Sequence, residues 1–349
     1  MRIALLGDLM LGRSVSDAIA AHGAAYVWGD TLPLLESADL RIANLECPIS
    51  ERGRPQRKVF TFRASLAAAR ALAAGRIDAV SLANNHAFDY GEDALADTLY
   101  ALDEANIAHA GAGMDLEEAM KPAFLDRGGL RVAVVALTDN MPSWAARVGR
   151  PGVHHVPLWS MPERVHSLRR RPLLGPLLDA ASGLRAALYS SRILAQLRRT
   201  LALAHAADFV VLSCHAGPNY CERPRPAFRR FARAALQSGA HVLHGHSAHI
   251  VQGIECVAGR PALYDTGDFV DDYRVRPERN DRSFLFLLEV DAATKRATRV
   301  TAVPVTLARC QVNLAPEPLA GDLCERLTRL CTELGTQTAR EGSRLTVEL

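Results

Sequence analysis

Apolar and polar positions follow one rhythm through the first half of the chain. A short apolar run leads into a polar loop rich in Gly, Asp, Asn or His, and an alanine-rich stretch of helical character follows. The pattern predicts strands at 2–6, 40–44, 79–83 and 131–137, with helices at 66–74 and 94–105 between them. Such alternation is the mark of an α/β sheet protein. In the second half, strands are expected at 209–214, 241–244, 260–264, 284–290 and 299–304, and a helix at 227–238, opened by Pro226 and closed by Gly239. The later strands follow one another without helices, which predicts an antiparallel edge or a second, antiparallel sheet. There is no internal repeat.

The stretch 142–207 breaks the rhythm, with Pro151, Pro157, Pro162, Pro172 and Pro176, two tryptophans and then a helix-prone run. It reads as a helical insertion or cap. Eight arginines stand against Glu163 and Asp179 between Glu163 and Thr200, so the formal net charge of +3 is concentrated there. Two uses are open: an electropositive lid for an anionic substrate or a membrane headgroup, or a solvated helix face whose arginine stems cover apolar surface.

With 349 residues, 49% hydrophobic and 23% charged, the chain has the means to bury a large core, and disorder is excluded on composition. No apolar run approaches the roughly 18 residues of a membrane span, and Gly7-Asp8 interrupts the first apolar segment, so a cytoplasmic location without an integral anchor is expected. Seven scattered cysteines without a C-x-x-C pair read as reduced thiols. No nucleic-acid module or basic stripe interleaved with aromatics is present, so that partner is not expected.

Five loops, each just past a predicted strand, hold the polar residues of interest: Gly7-Asp8, Asn44-Leu45-Glu46, Asn84-Asn85-His86, His215-Ala216-Gly217 and His244-Gly245-His246-Ser247-Ala248-His249. Ligands of open α/β sheets lie beyond the carboxyl ends of strands, so five such ends can converge. Oxygen and nitrogen ligands of this kind suit one or two Mn²⁺, Fe²⁺ or Zn²⁺ ions, or Mg²⁺, and a cation explains why carboxylates and imidazoles would gather.

Taken in order, these motifs resemble the CapA family of poly-γ-glutamate capsule synthesis proteins, within the calcineurin-like metallophosphoesterase superfamily. The match is extended by Gly111-Ala112-Gly113, Gln252-Gly253-Ile254-Glu255 and Tyr264-Asp265-Thr266-Gly267-Asp268-Phe269-Val270, and it spans about residues 1–305. The resemblance implies a layered α/β/β/α sandwich over 1–315, with the basic helical insertion at 142–207 and a helical tail at 316–349. It implies metal ligation by Asp8, Glu46, Asn85, His215, His246 and His249, and a general-acid role for His86. Two departures stand out. The histidines His246 and His249 are separated by two residues where the superfamily has one, and Met10 occupies a position usually held by a ligand histidine, where a thioether binds hard cations poorly.

Around this set, Arg13 and Arg63 are candidates to orient an anionic group by a guanidinium clamp, and Asn219 and Tyr220 lie close enough to His215 to line the site. Asp265 and Asp268 are expected in the pocket wall, where a carboxylate fixes a metal-bound imidazole. His154-His155 is a weaker candidate for a further metal pair. The expected function is metal-dependent hydrolysis, foremost of a phosphate ester, by metal-activated water. The alternatives are γ-glutamyl amide hydrolysis or its reverse, and noncatalytic binding of an acidic polymer. The expected partner is an anionic phosphorylated or γ-glutamyl substrate, with peripheral membrane contact available through the basic insertion.

Overall fold

The computed structural model of the chain describes residues 1–158 and 191–349. Its strands in the first half are β1 (Arg2–Leu9), β2 (Leu40–Leu45), β3 (Ala79–Ser81), β4 (Ala108–Ala110), β5 (Ala112–Gly113), β6 (Ala123–Arg127), β7 (Leu130–Thr138) and β8 (Gly152–Val153). The second half adds β9 (Phe209–His215), β10 (Val242–His246), β11 (Ile254–Val257), β12 (Arg260–Leu263), β13 (Asp268–Val270), β14 (Arg282–Asp291), β15 (Arg296–Ala308), β16 (Gln311–Leu314), β17 (Ala339–Glu341) and β18 (Arg344–Glu348).

β5 and β8 pair as a small sheet, and the other sixteen strands form two large ones. One runs β17-β18-β15-β14-β1-β2-β3-β4, with β13 also on β1 and β16 on β15; the other runs β11-β12-β10-β9-β7-β6. The pleat sorts each buried strand between two cores. Ile3 and Leu5 of β1, Val132 and Val134 of β7 and Phe209 and Val211 of β9 share one apolar cluster, the filling between the sheets. Ala4 and Leu6 face the other way, onto the helices Arg13–His22, Ala67–Ala74 and Gly91–Glu104 through Val15, Ile19, Leu72 and Leu95. Val135, Leu212 and Leu243 turn outward in the second sheet, onto the helix 191–202 and onto Phe228 and Phe231 of the helix Pro226–Gln237. Near-continuous apolar strands such as β1 are what burial on both faces demands. The mixed α/β class expected from the alternation is therefore present.

β1 to β4 pair in parallel, as do β7, β9, β10 and β12, whereas β14, β15 and β18 are antiparallel. The helix-free succession of late strands is that antiparallel edge. The tail at 316–349, expected to be helical, holds one helix, Leu319–Glu333, and then the hairpin of β17 and β18, whose β18 pairs with β15. Leu345 and Val347 of β18 are buried between the sheets, an alternation too short to stand out by eye. The basic insertion expected at 142–207 has its centre, with the arginines from Arg164 to Arg185, at 159–190, outside the described residues. On its flanks lie β8 and the helix 191–202, which packs Ile193, Leu197 and Leu201 against the second sheet. Among the described residues no helix is long and apolar enough to cross a membrane.

Phe209 is wholly buried in the filling between the sheets. Phe209→Ala should cost about 3–5 kcal/mol of unfolding free energy, read from the midpoint and slope of a urea titration.

Candidate metal centre

Strand register brings the polar residues together. Asp8 is the partner of Asn44 on β2 and of Asp268 on β13, and His215 is the partner of His246 across β9 and β10. β13 reaches Asp8 only because residue 7 is glycine. A Cβ there would lie 1.8 Å from the Gly267 carbonyl oxygen, a collision between two backbones that no side chain could relieve.

The two-residue spacing between His246 and His249 has a backbone explanation. Ser247 and His249 adopt positive φ, 119° and 60°, and this turn folds His249 back over the sheet end. Such angles are costly for non-glycine residues and persist only where the surroundings fix them. Asp265 fixes them: it accepts hydrogen bonds from the Ala248 N–H (2.6 Å) and the Gly267 N–H (2.9 Å). Asp265 thus holds the backbone that carries His249 and, among the described residues, hydrogen-bonds no imidazole.

Two groups of ligand atoms result, sharing Asp8. One is Asp8, Glu46, His249 and Asp268; the other is Asp8, His215 and His246; within each, the atoms lie within 4.8 Å of one another. His249 Nδ1 stands 2.8 Å from Asp268 Oδ1, 3.5 Å from Asp8 Oδ2 and 3.9 Å from Glu46 Oε2. His215 Nε2 is 2.7 Å from Asn85 Oδ1 and 3.8 Å from Glu46 Oε1, which joins Asn85 to the second group. Met10 is not among them. Its side chain is buried in the helix-side core and its sulfur accepts from the Gly12 N–H at 3.3 Å. The fourth member of the first group is instead Asp268, placed there by the β1–β13 pairing.

The electrostatics of this cluster call for a cation. Asp8 Oδ2, Glu46 Oε1 and Asp268 Oδ2 are buried without a hydrogen-bond partner among the described residues. Burial is the main force raising the Asp8 and Asp268 carboxyls far above the usual range, with Glu46 adding to the first and Asp271 to the second. Burial likewise pushes Asp265 up to about 7 and Asp271 up to about 6. His215 and His246 are held well below their ordinary value, chiefly by burial, so both present neutral nitrogens. Burial also works against the charged form of His249, but Glu46 and Asp8 outweigh it together and leave that imidazole raised. Unpaired buried carboxylates beside neutral imidazoles are a donor set that a divalent ion fits.

His86 sits at the edge of the cluster, its Nε2 3.9 Å from Glu46 Oε1 and its Nδ1 2.6 Å from Asp89 Oδ2. Phe62 stacks on the imidazole at 4.1 Å between ring centroids. Asp89 is itself held by Lys58 Nζ (2.8 Å) and the Phe62 N–H (2.7 Å). Lys58 also donates to the Asn85 carbonyl, and burial lowers its pKa. Behind these, Asn44 donates to Asp8 Oδ1 (2.7 Å) and accepts from Asn84, whose own side-chain oxygen takes the His86 and Ala87 N–H groups. Lys58, Asp89, Asn44 and Tyr273, whose hydroxyl lies 3.3 Å from Glu46 Oε2, went unassigned in the sequence. Asn44 stood in one of the five polar loops and Asp89 at i+3 from His86, whereas Lys58 and Tyr273 carried no signal.

The remaining candidates are spread around the opening. Arg13 pairs with Asp272 and lies over the Phe62 ring at 5.0 Å. Tyr220 is 5.8 Å from His249, ring to ring, while Asn219 is exposed. Arg63 stacks on Tyr90 at 4.4 Å and donates to the Arg52 carbonyl at 3.4 Å. His154 and His155 form no ligand group among the described residues. His154 is a core histidine, between the Ala136 carbonyl (2.9 Å) and the Thr200 hydroxyl (3.3 Å), and burial depresses it to about 4.

Fold and site together define a two-sheet α/β protein with a buried carboxylate–imidazole centre suited to a divalent cation. The chain belongs to the family described as bacterial capsule synthesis protein PGA_cap, whose sequence profile matches residues 2–273. It is 30% identical to a probable polyglutamine synthesis accessory protein of Mycobacterium tuberculosis, over 98% of this chain and 94% of that one. It is 26% identical to the capsule biosynthesis protein CapA of Bacillus anthracis, over 78% of this chain and 60% of the relative. Among solved structures, a hypothetical protein from Thermus thermophilus aligns with a TM-score of 0.47 at 17% identity, over 90% of this chain and 100% of that one.

A histidine buried neutral favours unfolding once the unfolded chain can bind the proton. His154 is depressed to about 4. Its contribution is therefore full above its ordinary value near 6.5 and is lost as pH falls toward 4. His154→Asn keeps a donor for the Ala136 carbonyl and does not titrate. Denaturation from about pH 7 to 4 should show the parent losing stability relative to this variant.

Proposed function

We propose that the chain is a metal-dependent hydrolase of the metallophosphoesterase type acting on an anionic substrate, most directly a phosphate ester. The observation that carries the proposal is the shared shell of Asp8, Glu46, His249 and Asp268, with His215, His246 and Asn85 on its other side. In this reading Asp8, Glu46, His249 and Asp268 hold one ion and His215, His246 and Asn85 a second, with Asp8 and Glu46 lying between the two sets, and the two layers of sheet serve as the scaffold of that type. A bound Mn²⁺, Fe²⁺, Zn²⁺ or Mg²⁺ ion supplies Lewis-acid polarisation and a water of lowered pKa.

The protein's own part is positional. His86 presents Nε2 toward the centre while Asp89 accepts from Nδ1–H, so a proton on Nε2 is aimed at a leaving oxygen. Phe62 and Tyr273 close the apolar side of the opening, their rings 5.5 Å apart, which keeps bulk water from the imidazole. A γ-glutamyl amide is the second reading. It is favoured by the relatives' names, and the same centre serves acyl transfer.

Metal content of protein purified without chelators or an affinity tag tests the proposal. About one or two ions per chain are expected, falling in Asn85→Ala, His246→Ala and Asp268→Ala. His86→Ala should keep its metal and lose turnover by about 10²–10⁴-fold. Failure of added Mn²⁺, Fe²⁺ and Zn²⁺ to bind would leave a noncatalytic polymer-binding protein in place of the hydrolase.

A further inference from the structure

A cavity whose wall mixes apolar and charged side chains adjoins the metal centre at Tyr220. Its volume is about 420 Å³, and Tyr220, Ile250, Arg279, Arg282 and Arg326 are among its walls. Tyr220 connects the two spaces. One side of its ring is 5.8 Å from the His249 ring, and the Arg276 guanidinium lies over it at 5.5 Å. The tyrosine is held with φ +58°, a costly angle for an aromatic residue, by a hydrogen bond from its N–H to the Ala248 carbonyl (2.8 Å). Ala248 belongs to the same turn that positions His249.

The guanidiniums here divide into two kinds. Arg279 is engaged by Asp281, and Arg326 by Glu222 at 3.2 Å. Arg276 and Arg282 form no ion pair among the described residues, and Arg282 Nε is buried without a hydrogen-bond partner. Arg276 is nonetheless anchored. Its N–H donates to Oδ1 of the buried Asn280 (2.9 Å), and the Tyr220 face takes up its guanidinium. Arg282, a half-buried wall residue whose Nε lacks an acceptor, and Arg276, exposed at the rim and stacked on the wall residue Tyr220, together offer donors to a planar oxyanion. The carboxylates of the wall do not fill that role: Glu222 is taken by Arg326 and Arg329, and Glu278 and Asp322 are exposed. With charge so nearly balanced, selection comes from contact and not from long-range attraction.

We propose that this cavity holds a second oxyanion-bearing unit of the substrate, carboxylate or phosphate, next to the unit at the metal centre. The preferred substrates are then acidic chains or diacids in place of simple monoesters. The proposal rests on the hydrolase reading for the bond that is cleaved, while the anion subsite stands on Arg276, Arg282 and Tyr220 alone.

Two calorimetric comparisons on the metal-loaded protein test it: tri-γ-glutamate against glutamate, and fructose 1,6-bisphosphate against fructose 6-phosphate. The parent should prefer the multiply charged member of at least one pair. Arg276→Gln and Arg282→Gln should each reduce that preference on the order of tenfold, and Arg282→Lys should recover part of it. Loss confined to the first pair identifies a carboxylate ligand, and loss confined to the second a phosphate. No preference in the parent, or a preference unchanged in both glutamine variants, overturns the subsite. Turnover assays separate the two readings. If no ester or amide is hydrolysed and the binding preference still depends on Arg276, the hydrolase reading fails and the subsite stands. If substrates turn over and the ratio of KM for the multiply charged to the singly charged substrate is the same in parent and variants, the reverse holds.

Discussion

Everything at the sheet ends answers to one electrostatic constraint: Asp8, Glu46, Asp265, Asp268 and Asp271 are buried within one small region. Removing a carboxylate from water without a partner is among the most expensive things a fold can do. Asp265 meets the cost with two backbone N–H groups, and Asp271 accepts from the Tyr273 N–H. Asp8, Glu46, Asp268 and Asp271 each keep one oxygen without a donor among the described residues. The first three of these residues belong to the group completed by His249, and it is there that positive charge is missing. The neutral state that burial imposes on His215 and His246 fits the same account, because a protonated imidazole could not be a ligand.

The scaffold around this cluster is made of positions where the backbone gave way to the site. Gly7 lets a second parallel strand close on β1, and the left-handed residues Ser247 and His249 bend a loop that would otherwise continue away from it. Both features serve carboxylate and imidazole placement. In particular, the pairing of β13 with β1 sets Asp268 beside Asp8, so two carboxylates more than 250 positions apart in the chain share one end of the sheet.

Much of the scaffold was legible in the sequence because long buried strands leave an apolar signature. β1, β2, β7, β9 and β14 all lie where the hydrophobic runs put them. Shorter strands such as β4 and β13, three residues each, carry too little pattern to register. The same division holds for the site. Asp8, Glu46, Asn85, His215, His246 and His249 stand in conspicuous polar loops just past strands, and the fold collects them. Lys58 and Tyr273 come from irregular segments whose placement depends on tertiary packing, so no local pattern marked them. Asp268 was visible as a residue but not as a neighbour of Asp8, since strand register between distant segments leaves no trace in spacing.

β1 holds an interior place in its sheet, between β2 and β14, with Arg2 to Leu5 opposite Phe286 to Glu289. A strand made early in translation thus waits for one made nearly three hundred residues later. The parallel strands β1 to β4 find one another within residues 2–110 and can associate early, yet one edge of β1 then stays open with its amides unpaired. Non-local pairing of this kind slows folding and prolongs exposure of a sticky edge. The nascent chain therefore has a long interval in which the strand bearing Asp8 is its most vulnerable segment, and the ribosome-bound fragment is the form on which chaperones would have most to act.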